Sequence, residues 1–237
     1  MEAMLTAEAP GIGLYAETGL HDALKRLYAR EPGARLEVKL GGRVVDVALP
    51  GGVVEIQTRS LFSIQEKVLH LACLQPVRIV HPIVVEKILR RLDPESGEEL
   101  SVRRYRAPKD IYSVFDELVR APLIVASANV SFDIVLVRVR EDRVRDGSGS
   151  WRRKGDRVLC RELDEVLATK SLDTALDWLG LLPESTSVPY ESAGLGLALG
   201  IKPERARKLL YTLAKAGILE NAGTCGRKKP YRRSEEN

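Results

Sequence analysis

Cysteine is scarce and scattered: the 237-residue chain has three, Cys73, Cys160 and Cys225, with no CxxC spacing. That excludes a disulfide framework and a zinc knuckle, and makes a reducing cytoplasm the expected compartment. No apolar run reaches the ~18 residues of a membrane helix. The opening residues also lack the basic start and apolar core of a signal peptide, so no membrane partner is expected. No Gly-rich phosphate loop follows a strand, and Ser, Cys and His form no acyl-transfer arrangement. His70 and His81 have no ligand spacing and read as structural. The formal net charge of +4 is too small to require a polyanionic partner, but the charges are unevenly distributed.

With 44% hydrophobic and 30% charged residues, the chain has the composition of a globular α/β (α+β) protein with room for one large or two modest domains. Three parts are read: an α/β core over 14–83, a mixed middle region and linker over 84–187, and a C-terminal unit over 188–233. In the core, Leu20, Leu24 and Leu27 form a helical stripe within Ala16–Arg30. Arg35–Leu40, Arg43–Leu49 and Val53–Gln57 are β-branched runs separated by Gly41-Gly42 and Pro50-Gly51-Gly52. A helix over Leu61–Leu74 and a strand over Val77–Ile83 complete the order helix, three strands, helix, strand. In the middle region, a helix near Ile111–Val119 and a strand over Phe132–Val139 precede a basic turn or linker, Arg140–Lys154. A helix over Ser171–Leu181 leads to the C-terminal unit.

Alternation places Val44, Asp46 and Ala48 on one face of the second strand, and Glu55 and Gln57 on one face of the third. An even-length turn sets Asp46 directly across from Glu55, where like charges destabilise a sheet unless a positive group lies between them. A divalent cation, Mg²⁺ or Mn²⁺, meets that need with carboxylate and water oxygens. Glu17 falls on the inward stripe of the first helix and requires a partner, either His21 or the same cation. The simpler alternative pairs Asp46 with Arg43 or Arg59 and leaves Glu17 as a first-turn acid at the helix dipole.

The stretches LHDALKRLYAR, RLEVKLGGRVVDVALPGGVVEIQTR and VRIVHPI resemble the restriction-endonuclease-like PD-(D/E)xK superfamily, and an uncharacterised bacterial family within it. The resemblance implies a strand-borne acidic pair at Asp46 and Glu55 and a helix-borne acid at Glu17. It implies metal-assisted phosphodiester hydrolysis, with Asp46 and Glu55 as metal ligands and Gln57 positioning the nucleophile. Gln57 stands where the superfamily usually has lysine. Lys67 reads as a solvated lysine, with the alternative that it supplies the missing cation. The acids are expected to converge on one pocket at one end of the small sheet.

At the C-terminus, Tyr190–Leu199 and Pro203–Ala216 read as helices joined by Gly200-Ile201-Lys202, with small residues at their crossing and Pro203 at a helix start. Ala206, Leu209, Leu210 and Leu213 form the buried stripe. Lys202, Glu204, Arg205, Lys208 and Tyr211 are left on or beside the exposed face. Gly217 caps the second helix, and a hairpin turning over Gly223–Gly226 carries Arg227, Lys228, Lys229, Tyr231, Arg232 and Arg233. This pattern is similar to the winged-helix family, which implies a helix in the DNA major groove and a basic wing on the backbone. The DNA-binding residues expected are Lys202, Arg205, Lys208, Arg227, Lys228, Lys229, Arg232 and Arg233. The function expected is a metal-dependent DNA endonuclease in restriction or repair. The alternatives are a transcriptional regulator or structural DNA-binding protein whose nuclease-like domain is catalytically inactive, and a protein-binding scaffold. A homodimer is left open.

Overall fold

The computed structural model describes residues 12–148, 155–184, 189–223 and 229–234, with side chains from residue 19 onward. Helix α1 (Ile12–Tyr28) is followed by strands β1 (Arg35–Leu40), β2 (Arg43–Leu49) and β3 (Gly52–Ile56). A 3₁₀ turn (Leu61–Ile64) leads into α2 (Gln65–Ala72), and the chain returns as β4 (Val77–Leu92). β1, β2 and β3 form an antiparallel meander, and β4 joins β3 in parallel. A crossover through a helix makes that parallel step possible. The first six elements therefore follow the order read from the sequence.

Beyond them the strands run longer than their patterns suggested. β4 continues past Ile83 to Leu92, so the boundary drawn between 83 and 84 falls inside a strand. β5 (Glu99–Arg106), which the sequence pattern did not disclose, pairs with the far half of β4. β6 (Val130–Arg145) lies parallel to β4, and β7 (Asp156–Leu172) returns antiparallel along β6. The basic stretch read as a linker, Arg140–Lys154, is strand as far as Arg145, its residues 149–154 lie outside the described residues, and β7 begins just after it at Asp156. Its polarity reflects ion pairing across strands, Arg140 with Glu162, Glu141 with Arg161 and Arg157 with Asp146, and within β6, Arg143 with Glu141. The result is one seven-stranded mixed sheet in the order β1-β2-β3-β4-β6-β7, with β5 beside β4.

Two cores cover the sheet. On one face, Leu20 and Leu24 of α1 pack over Val47, Val54, Ile56, Val80 and Val135. Gly19 is needed there, because a Cβ would sit 2.4 Å from the Arg161 carbonyl oxygen of β7. The opposite face carries α2, α3 (Phe115–Leu118), α4 (Pro122–Ala126) and α5 (Ala175–Leu179). Trp178 of α5 meets Phe115 and Phe132 edge-on, with ring centroids 6.2 and 5.6 Å away. The helix read over Ser171–Leu181 shortens to α5 because β7 extends to Leu172.

The C-terminal unit packs onto this second core. It contains α6 (Ser192–Leu199), α7 (Pro203–Lys215) and a small hairpin of β8 (Leu219–Asn221) and β9 (Tyr231–Arg233), with Tyr190 bridged to Tyr231. Ala206, Leu209, Leu210 and Leu213 are buried as the helical stripe required. At Gly196 an added Cβ would lie 2.9 Å from the Ile201 carbonyl oxygen, which explains the small residue at the helix crossing. Gly217 adopts φ 76°, the left-handed geometry of a helix C-cap. None of the helices described is long and apolar enough to cross a membrane.

Candidate functional site

β2 and β3 pair through Val47↔Val54, Ala48↔Val53 and Leu49↔Gly52. This is the register of an even turn, and its continuation would bring Asp46 opposite Glu55. The ladder stops one step short. Instead of a backbone pair, the Asp46 carboxylate (Oδ2) accepts the Ile56 N–H at 2.8 Å. On the other side of β2, Glu37 and Asp46 are the pair missing from the ladder with β1. Glu37 has φ 54°, a left-handed conformation that costs a non-glycine residue about 1–3 kcal/mol. The strand's alternation breaks here as well, since Val45 belongs to the core under α2 and Val47 to the core under α1.

Asp46 therefore reaches out at the parted edge of β2 and β3, where the expectation was simple projection from the Glu55 face. His21 of α1 approaches its Oδ2 at 3.3 Å. Burial pushes the Asp46 pKa up, but the bonds from His21 and the Ile56 N–H outweigh it and hold the pKa below its ordinary value. The bond to Asp46 in turn raises the His21 pKa against the opposing effect of burial.

Glu55 points toward the α2 side, so the two acids are held by helices on opposite faces of the sheet where convergence on one pocket was expected, and it is almost inaccessible, at 3% exposure. Lys67 of α2 donates to its Oε2 at 2.6 Å. Its other oxygen, Oε1, is buried with no hydrogen-bond partner among the described residues, although the Asp46 backbone N–H lies close enough to the carboxyl to lower its pKa. Burial pushes the Glu55 pKa up to about 7 against the pull of Lys67, and the charge of Asp46 adds to the rise. Lys67 also acts on Asp46, lowering its pKa through space. One cation thus serves both acids. The expectation of a solvated Lys67 gives way to its alternative, because one turn of α2 carries the ammonium over the end of β3.

Gln57 does not join this group through its amide nitrogen. That nitrogen donates to the Ser60 carbonyl at 2.7 Å and to Ser63 Oγ at 3.0 Å, fastening the turn before α2. Its backbone carbonyl contacts His81 Nδ1 at 2.7 Å. Burial lowers the His81 pKa to about 4, so that ring is a neutral structural group. Arg43 pairs with Glu66, not Asp46. Glu17 belongs to α1, but its side chain lies outside the described residues. Among the described residues no three His, Cys, Asp or Glu side chains gather closely enough to hold a metal. The donors at hand are the two carboxylates, and the orphaned Oε1 of Glu55 is a hard oxygen of the kind Mg²⁺ or Mn²⁺ accepts.

Residues 18–173 match the sequence pattern of a family described as a domain of unknown function, DUF8091. The chain belongs to the DUF8091 family. The DUF8091 match takes in the Asp46–Glu55 edge and every strand of the large sheet, and ends before α5. A protein of Treponema pallidum (strain Nichols), named only as uncharacterized, is 29% identical over 223 residues, which cover 92% of this chain and 85% of that protein. No solved structure matches the chain.

Outside the DUF8091 match, the cations expected to bind DNA divide into two groups. Arg205 and Lys208 face inward: both bond Asp116 of α3, at 2.9 and 2.8 Å. This corrects their placement on the exposed face of α7, because the helix packs on the middle region along that flank. Burial raises the Asp116 pKa, but the bonds from Lys208 and Arg205 bring it below its ordinary value. Lys202, Lys229 and Arg233 are exposed, and Arg232 pairs with Glu220. Arg227 and Lys228 lie outside the described residues. The exposed stripe of α7 is Glu204, Arg207, Tyr211 and Lys215, at helical spacing. Arg207 and Lys215 were missed, although projecting the buried residues on a helical wheel would have pointed to them. Tyr211, Lys215 and Lys229 line a groove of about 870 Å³ between α7 and the hairpin.

Proposed function

We propose that this protein is a DNA-binding, metal-dependent phosphodiesterase, acting in restriction or repair, with Asp46 and Glu55 as the residues that hold Mg²⁺ or Mn²⁺. The observation that carries the proposal is the buried Oε1 of Glu55, without a hydrogen-bond partner among the described residues, at the parted β2–β3 edge where the charge of Asp46 acts on it. A buried acceptor without a partner costs about 1–3 kcal/mol, so its retention beside Asp46 suits a site completed by a cation. A bound divalent ion would supply charge neutralisation at a phosphate and a water of lowered pKa. The chain's own groups do the rest. Lys67 offers a positive charge at the position that Gln57 leaves neutral, His21 holds the Asp46 carboxylate, and Glu17 is the further acid on α1. Specificity of attachment would come from the exposed cations Lys202, Arg207, Lys215 and Lys229 of the C-terminal unit, which resembles a winged helix.

One observation favours a second reading. Glu55 with Lys67, and Asp46 with His21 and the Ile56 N–H, already form charge-compensated pairs without any ion. On that reading the protein binds DNA as a regulator or structural component, and the sheet edge is inert. Cleavage separates the two. Purified protein with Mn²⁺ or Mg²⁺ is expected to cut duplex, single-stranded or branched DNA. Glu55→Gln and Asp46→Asn should each reduce cutting by about a hundredfold or more, with DNA binding retained. A wild-type protein that binds DNA yet cuts none of these substrates would establish the second reading.

A further inference from the structure

The arginines of the long strands differ in what they do. Arg90, Arg91, Arg138, Arg143 and Arg161, on β4, β6 and β7, each close on a carboxylate. Glu141, at 0% exposure, gathers Lys87, Arg143 and Arg161. Burial raises its pKa, but the bonds from those three cations outweigh it and bring the pKa down to about 2. These cations hold the extended part of the sheet together and have little left for a ligand.

β5 is different. Arg103, Arg104 and Arg106 are exposed, and among the described residues no carboxylate pairs with any of them. Tyr105 between them is 48% exposed. Among the described residues β5 pairs with β4 alone, which leaves its outer edge open there. Alternation sends Arg104 and Arg106 to one face and Arg103 and Tyr105 to the other. Three guanidinium groups thus flank a single free edge from both sides.

The topology also fixes where this edge leads. β6 occupies one side of β4 along nearly all its length, so β3 and β5 must share the other side. β3 runs parallel to β4 and β5 antiparallel, so their C-terminal ends face each other. Ile56 aligns with Val80, and Arg106 with Glu86. That separation is about 20 Å at ~3.3 Å per strand residue. It equals the rise of about six nucleotides of one strand of B-DNA. The three arginines lie in line with the Asp46–Glu55 edge on the same flank of the sheet.

We propose that β5 is a phosphate-binding edge, which holds the DNA backbone running away from the Asp46–Glu55 site. The proposal rests on the DNA-directed reading above, and it assigns a contact surface outside the C-terminal unit. Arginine suits the role because its planar fork can bond a phosphate bidentately. An exposed tyrosine in the same run adds a stacking surface for an unpaired base. The competing role for charge on an open strand is to prevent edge-to-edge association.

The test is binding of a labelled oligonucleotide by the full chain in EDTA, across a salt series, for wild type and for Arg103→Gln/Arg104→Gln/Arg106→Gln. The triple variant should bind about tenfold to a hundredfold more weakly at ~0.1 M salt, with the slope of log K against log salt reduced by about 2–3. The corresponding Arg→Lys triple variant should keep most of the slope, which separates lost charge from a misfolded sheet. Unchanged affinity and slope in the Gln variant overturn the proposal, and self-association of that variant would then identify the arginines as edge guards. Cleavage is read separately with metal. Wild-type cutting that Glu55→Gln abolishes, together with unaltered binding by the β5 variant, sinks this inference and leaves the phosphodiesterase reading intact. Loss of binding in the β5 variant of a protein that never cuts does the reverse.

Discussion

Two carboxylates anchor cations from a neighbouring helix, and they are left in opposite conditions. Asp116 is 38% exposed, and both its oxygens are bonded, one to Arg205 and one to Lys208. Glu55 is nearly sealed from solvent and has a single cation on one oxygen, with no hydrogen bond to the other among the described residues. The pKa of Asp116 is lowered and that of Glu55 is raised, to about 7. The first arrangement is a completed bracket, which fixes α7 to α3. The second is a one-to-one pair whose acid is kept by burial from its ordinary ionisation. An ion pair therefore marks structure or chemistry according to whether its acceptors are saturated.

The largest effect expected from this contrast is on the pH dependence of stability. Glu55 has a folded pKa raised above its ordinary value of 4.5. The native state then binds more protons than the unfolded chain between about pH 4.5 and pH 7. Stability falls as pH rises through that window, by about 3 kcal/mol from this group. Urea titrations of Glu55→Gln should lack the decline, whereas a parallel pH profile in wild type and variant would mean that Glu55 is not held protonated by its burial.

Metal should produce a somewhat smaller change. A cation binding only the folded protein adds about 2.7 kcal/mol at a hundredfold excess over its Kd, or roughly 5–10 °C in Tm for a chain of this size. Thermal scans with Mn²⁺ should show the shift in wild type and lose it in Asp46→Asn and Glu55→Gln. Persistence of the full shift in both variants would move the metal elsewhere in the molecule.

The smallest change is expected at the saturated bracket. Asp116→Ala releases two half-buried cations at a cost of about 1 kcal/mol, and added salt should reduce the difference. If Arg205 and Lys208 thereby become free for phosphate, DNA affinity rises modestly in the same variant. A loss of several kcal/mol would instead make Asp116 the keystone of the interface between α7 and the middle region.

Much of the first eighty residues was legible before any coordinates. Two-residue alternation gives the faces of β2 and β3, and the register follows once the turn is the two residues Pro50-Gly51. That placed Asp46 and Glu55 near one another. It did not give the way Asp46 leaves the ladder, which depends on β1, where Glu37 turns left-handed at the position opposite. β5 was hidden for a different reason. Its run Ser101-Val102-Arg103-Arg104-Tyr105-Arg106 has no apolar face, because both faces are solvated, and hydrophobic period is the signal by which strands are found. Past Ile83, β4 continues with only Val85 and Leu89 buried and with charges matched by β6, a pattern that resembles a loop until the partner strand is present.

The sequence alone determined the elements whose cause is local. These are the stripe of α7 and its ends at Pro203 and Gly217, the meander of β1 to β3, and the candidate acids with their spacing. Tertiary structure decided which charges are used up and which remain available. Arg205 and Lys208 face Asp116 rather than solvent because α7 docks on α3, and Lys67 reaches Glu55 because α2 crosses the sheet to make β4 parallel to β3. The physical reason is range. A dihedral preference or a hydrophobic period acts over a few residues, whereas the partner of a charge is set by packing across as many as 95 positions, as between Arg78 and Asp173.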